Sequence, residues 1–236
     1  MTKIHKQIKE DTSLIRKVLC VIILLLLAIA LPALSASKQE MKKMSVFISN
    51  FTEAGLFNFD MKADFDEDED NEEGEPKTHL GMPENIGELA KFGIVHNYIN
   101  NKNRIAKCTD RSCESGPLKI DKKFVAESVR KYFGVELAEK NLRSIADDAS
   151  AVFSYDGRFF HFAPDSFNEP GNNKVYYADV QGVIKKGRNL FVAGDIYNSK
   201  EITDRPGMFA AAIRPSGKSW VIIDMTTDWV TNAGRD

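Results

Sequence analysis

Histidine, cysteine and tryptophan are all scarce, with four, three and two copies in 236 residues. So few imidazoles and thiols exclude a zinc array, because no second cysteine or histidine pair stands at metal-site spacing. No serine sits in a Gly-x-Ser-x-Gly elbow, and neither a glycine-rich phosphate loop nor a dinucleotide fingerprint occurs. The common nucleophile and nucleotide chemistries therefore leave no local signature, and no cofactor site is predicted. Long apolar runs are missing too, with one exception near the N-terminus.

That exception has three zones: a basic stretch with Lys3, Lys6, Lys9, Arg16 and Lys17, an uncharged run from Val18 to Ala30, and the small-residue segment from Leu31 to Ser37. This is the order of a secretory signal. As a helix the apolar run covers roughly 20 to 25 Å of a hydrocarbon layer about 30 Å thick, which is short for a permanent span. The pattern predicts a leader over residues 1–36, cleaved after Ala36, with an uncleaved transmembrane anchor as the alternative. Either way Arg16 and Lys17 stay inside and residues 37–236 form a single domain outside the cytoplasm, secreted, periplasmic or at the cell surface. Cys20 opens the apolar run and does not follow a small-residue triplet, which argues against a lipid-modified N-terminal cysteine.

Charge is localised. The formal net charge is −2, yet Asp60 to Glu75 holds ten acids against one lysine. Residues 60–77 are too polar to bury enough surface to offset their ordering entropy, and they read as a flexible acidic insertion. The domain outside this insertion is mildly basic, so the insertion has possible docking partners in Lys185, Lys186 and Arg188. Within the insertion Asp64, Asp66, Asp68 and Glu75 stand at EF-hand positions 1, 3, 5 and 12. The glycine needed for the sharp turn is replaced by Glu69, and the apolar position by Asn71. A solvated loop is the reading that follows.

Once the leader is set aside, Cys108 and Cys113 form an even pair in a polar loop, and they predict a disulfide. The alternative is a metal site completed by His79 or His96. A ring this short stabilises by on the order of 2 kcal/mol, enough to pin a loop and not to hold a fold.

The remaining pattern is helices first and strands second. Met41, Met44, Phe47, Ile48 and Phe51 fall on one helical face, ending near Gly55. Pro83 to Asn101 reads as a helix apolar on more than one side. A third helix is capped by Asp121 and ends at Gly134, and a fourth piece follows from Glu136 to Asp147. After Ala149 the period shortens, giving strands over 152–155, 158–162, 175–185, 190–197, 208–214 and 219–227. The intervening turns Asp156-Gly157, Lys186-Gly187-Arg188-Asn189 and Pro215-Ser216-Gly217-Lys218 demand antiparallel hairpins. The class is α+β, with N-terminal helices packed on a C-terminal antiparallel meander. The long hairpins from Val175 to Asp228, closing in GKSWVIIDMTTDW, resemble the cystatin-like and NTF2-like superfold. The segments FISNFTE and FGIVHNYINN are similar to parts of uncharacterised exported bacterial proteins. A superfold implies an architecture and not a reaction.

Few residues are placed for chemistry. His96 with Asn97 and Asn100 is a candidate pocket wall, and His161 is a second candidate on a strand. Each is weighed against a packing role. Asp179, Asp195, Asp224 and Asp228 lie on or beside strands, where two close carboxylates would split their pKa values. No catalytic residue is assigned. The resulting expectation is a non-catalytic module of the cell envelope that binds an unknown small molecule or envelope protein. The competing readings are a small hydrolase or lyase using a histidine and a strand carboxylate, and a structural interaction protein. Nucleic acid is not an expected partner, and contact with a membrane is expected only through the N-terminal segment.

Overall fold

The computed structural model describes residues 36–61, 78–80, 85–109, 113–140, 142, 152–167, 175–198 and 202–229. Residues 1–35 of the predicted leader and the bulk of the acidic insertion, including Asp64, Asp66, Asp68 and Glu75, lie outside them. No helix among the described residues is long and apolar enough to cross a membrane.

The chain starts with helix α1 (Lys38–Glu53), short strands β1 (Phe59–Asp60) and β2 (Thr78–His79), and helix α2 (Ile86–Asn100). Strands β3 (Ile105–Lys107) and β4 (Leu118–Asp121), helix α3 (Lys122–Phe133), and strands β5 (Phe153–Tyr155) and β6 (Phe159–Phe162) come next. Four long strands close the chain: β7 (Tyr176–Lys186), β8 (Asn189–Asn198), β9 (Gly207–Ser216) and β10 (Ser219–Trp229). The fold is α+β, as the sequence pattern predicts.

Local chemistry sets the ends of these elements. Ser37 and Glu40 form a reciprocal capping box at the start of α1. Asp121 accepts from the Lys123 amide at the start of α3, and Gly134 ends that helix in the left-handed conformation at φ 71°. The predicted helix from Pro83 is described as α-helix over Ile86–Asn100, and of the predicted fourth helix Glu139, Lys140 and Leu142 are helical.

The strands divide into two sheets, whereas the sequence suggests one continuous meander. The larger sheet has the order β2-β1-β10-β9-β8-β7, and the smaller β3-β4-β6-β5. β6 therefore pairs with β4, from the connection between α2 and α3, and β5 pairs with β6 at the sheet edge. Asp60, read as the start of the acidic insertion, belongs to β1 and lies opposite Asp224.

The core sits where α1, α2, α3 and the sheet meet. Phe51 has ring neighbours in Phe47, Phe59, Phe92, Tyr132 and Phe133, at centroid distances of 5.3 to 5.9 Å. α2 meets α3 at Gly93, where any Cβ would lie 2.7 Å from the Val125 Cγ1 atom. This absence of a side chain lets the helices approach closely enough for Asn97 to bridge them.

The edge of the larger sheet explains the placement of α1. Along an edge strand alternate residues direct their backbone groups outward, a template for unwanted pairing. On β7 those residues are Tyr176, Ala178 and Val180. Ser45, Ser49 and Thr52, spaced four and three along one helical face, meet them: Val180 N donates to Ser45 Oγ at 2.9 Å, Ala178 N to Ser49 Oγ at 3.0 Å, and Thr52 Oγ1 donates to Tyr176 O at 2.8 Å. Ser49 Oγ also donates to Ser45 O, so the hydroxyl is used in both directions. A helix thus stands where a further strand would pair. Ser49→Ala should lower the unfolding free energy by about 1–3 kcal/mol, because it leaves the buried Ala178 amide unpaired. Urea unfolding of the two chains measures this, and equal midpoints would show that the helix is held by packing alone.

Candidate binding groove

The outer flank of α1 and the first half of β7 bound an open groove of about 600 Å³. α1 contributes Met41, Lys42, Ser45, Val46, Ser49 and Glu53, the sheet contributes Tyr177, Asp179 and Tyr197, and the β8–β9 connection contributes Ile202 and Arg205. Val46 is 63% exposed and Ile202 67%, and these are two of the five large apolar side chains left exposed among the described residues. The hydroxyl stripe fixes α1 beside β7. Consequently the next position round the helix, Val46, faces away from the core toward the groove.

Tyr177 and Tyr197 are cross-strand partners with ring centroids 5.7 Å apart. Burial raises the Tyr177 phenol above its ordinary value, reinforced by Glu53 and Tyr197. Glu53 is itself raised by burial, against the hydrogen bond from Asn100 Nδ2 at 3.1 Å. Arg205 closes one end by pairing with both Asp179 and Asp195. The groove therefore combines two exposed aliphatic side chains, an aromatic pair and mixed charge.

The strand carboxylates separate in a way that periodicity alone does not reveal. Register brings Asp179 and Asp195 face to face, but Arg205 lies against them both. Asp224 sits opposite Asp60 and Ala212, and Asp228 is exposed opposite Met208. Asp179 and Asp195 are thus bound to a permanent cation. Their site suits charge pairing better than an acid–base couple.

The histidines fall outside the groove lining. His96 is 6% exposed, stacks 5.8 Å from Phe92 and meets the Tyr132 ring edge-on at 4.8 Å. Burial lowers its pKa to about 4, assisted by the charges of Lys131 and Arg104. Asn97 is fully buried and structural: its Nδ2 donates to Gly93 O and Ser128 Oγ at 2.8 Å and to Phe124 O at 3.2 Å, while Oδ1 accepts from Arg104. Only Asn100 of this predicted wall lines the groove.

His161 is 1% exposed on β6. Its Nε2 lies 2.8 Å from Asp156 Oδ2 and its Nδ1 3.2 Å from Cys108 Sγ. Cys108 and Cys113 form the disulfide that the sequence predicts. Among the described residues the histidine that stands with this pair is His161, not His79 or His96. Lys185, Lys186 and Arg188 occupy the exposed tip of the β7–β8 hairpin. Val46, Tyr177, Tyr197, Ile202 and Arg205 are not flagged by the sequence pattern. The available signal was Val46, which falls outside the apolar face defined by Met41, Met44, Phe47 and Phe51.

Comparison with protein-family models, curated proteins and solved structures finds no match.

Proposed function

We propose that the domain is a non-catalytic binding module exposed outside the cytoplasm, and that the α1–β7 groove is its ligand site. The observation that carries this reading is the pairing of exposed Val46 and Ile202 with the Tyr177–Tyr197 rings across one groove. Binding sites characteristically join apolar and aromatic walls with a few polar groups that set orientation. Here Lys42, Glu53 and Arg205 supply those groups. The ligand class that fits is a compact molecule or partner segment with an aromatic or branched aliphatic portion and an acidic group for Lys42.

The export reading rests on the basic, apolar and small-residue order of the N-terminal segment, and the formed disulfide agrees with it. The long hairpins with a helix along them support assignment to the cystatin-like or NTF2-like superfold. A hydrolase or lyase would need a histidine and a strand carboxylate facing one cavity. Neither His96 nor His161 lines the groove, which favours the binding reading.

Titration with an anilinonaphthalene sulfonate, an aromatic anion, tests the site. The full chain should enhance the dye's fluorescence saturably, and Val46→Glu with Ile202→Glu should weaken binding at least tenfold. These exposed positions leave the core untouched, so the fold should persist by circular dichroism. No saturable binding, or equal binding by the double variant, would remove the proposal.

A further inference from the structure

We propose that Cys108–Cys113 is a redox-active disulfide that exchanges with external thiols, and that His161, oriented by Asp156, is the proton acceptor for the released Cys108 thiol. The site shares no residue with the groove and stands independently of the binding reading.

Three segments distant in sequence converge here. Cys108 follows β3, and its amide donates to Pro117 O at 2.8 Å. Gly116, at φ 145°, lies so close to β6 that a Cβ would be 2.1 Å from the Phe162 carbonyl carbon. That close approach holds the Cys113–Gly116 turn against β6. His161 is on the central strand β6, with Lys119 of β4 and Ser154 of β5 as its cross-strand neighbours. Alternation along β6 sends Phe160 and Phe162 into the core and the imidazole to the other face, toward Cys108.

The hydrogen bonds settle how the ring works. Asp156 Oδ1 accepts from the Arg158 and Phe159 amides at 2.8 and 2.7 Å, leaving Oδ2 for His161 Nε2. Burial pushes the Asp156 carboxyl up, but the Phe159 amide, His161 and the Arg158 amide outweigh it and hold the carboxyl below its ordinary value. An ionised carboxylate can only accept, so it fixes the imidazole proton on Nε2 and turns the Nδ1 lone pair toward Cys108 Sγ. Asp156 is a positioning residue, and among the described residues the charged neighbours of His161 are Asp156 from the β5–β6 turn and its cross-strand partner Lys119 on β4. The ring nitrogen that Asp156 leaves free therefore faces the sulfur that becomes a thiolate when the disulfide opens.

In the exchange a first external thiolate attacks Cys113 Sγ. The disulfide bond breaks, its electron pair goes to Cys108 Sγ, and a mixed disulfide forms on Cys113. A second external thiolate attacks that mixed disulfide at the external sulfur and releases Cys113 as a thiolate. Two electrons and two protons pass from two external thiols to the cysteine pair, and the external thiols leave as their disulfide. One of the protons rests on His161 Nδ1 instead of on Cys108, giving an imidazolium and thiolate pair with Asp156 behind it. Stabilising the reduced form in this way makes a disulfide easier to reduce.

The experiment equilibrates the full chain in buffers of reduced and oxidised glutathione at pH 7. The reduced fraction is read by alkylation and peptide mapping, with Cys20 counted separately. His161→Gln and Asp156→Asn should each be harder to reduce by about tenfold in equilibrium constant, about 30 mV for a two-electron couple. The sign matters, because loosening the loop would instead make the disulfide easier to reduce. Asp156→Asn keeps an oxygen for the Arg158 and Phe159 amides, so it carries the test if His161→Gln does not fold. At pH 6 an ordinary thiol is about 0.3% thiolate, so in the reduced protein Cys108 should react with iodoacetamide at least tenfold faster than in either variant. Variants that match the natural chain within twofold, or that reduce more easily, would overturn the proposal, as would a Cys108 alkylated no faster than Cys113.

Discussion

Phe51→Ala should unfold the domain more readily by about 3–5 kcal/mol, the range for truncating a fully buried aromatic residue. Phe51 is fully buried, and its ring contacts join α1 to itself through Phe47, to β1 through Phe59, to α2 through Phe92 and to α3 through Tyr132 and Phe133. The loss combines transfer of the ring from water with the cavity that four separate elements cannot close together. Against a typical total stability of about 5–15 kcal/mol, it removes between about a fifth and the whole of the margin. Guanidinium unfolding followed by tryptophan fluorescence measures it. Phe191→Ala is the control. That ring is 43% exposed on the outer face of the β7–β8 hairpin, and its removal should change stability by less than about 1 kcal/mol. Equal losses at the two positions would mean that the core is not organised around Phe51.

The part of this architecture that was legible in the sequence is the part written locally. Ser37, Asp121 and Gly134 mark helix ends because a cap requires one side chain beside one turn. Gly187 and Gly217, at φ 61° and 60°, mark hairpins for the same reason. The second sheet was not legible, since β3 and β4 have only three and four residues of mixed polarity and the partners of β4 in β6 lie 38 to 44 positions away. No period can be read from three residues. The groove was hidden for a related reason. Ser45, Ser49 and Thr52 read as the polar side of an amphipathic helix, and only the register of β7 reveals that they cap its edge. Asp156 read as a turn residue, Cys108 as half of a loop staple and His161 as a pocket candidate weighed against packing on a strand. Each reading was adequate alone, and the chemistry lies in their juxtaposition.

His96 should make the domain sensitive to acid. Its ordinary value is 6.5 and its folded value is about 4, set first by burial and then by the Lys131 and Arg104 charges. The fold therefore favours the neutral ring. The stability this contributes is complete above pH 6.5 and is lost as the pH falls from 6.5 toward 4, where the unfolded chain takes up a proton that the folded chain refuses. The gap corresponds to about 3 kcal/mol. Glu53 acts with the opposite sign, because burial raises its carboxyl and protonation then favours the fold. The decisive comparison is consequently between chains. Unfolding free energy is measured at pH 7.5 and pH 4 for the natural chain and for His96→Gln, which does not titrate. Carboxylates change equally in both, and any uniform penalty of the glutamine cancels within each chain. The natural chain should lose about 2–3 kcal/mol more than the variant between the two pH values. The same acid sensitivity in both chains would mean that the space between Phe92 and Tyr132 admits a charged imidazole, and the packing role assigned to His96 would have to be abandoned.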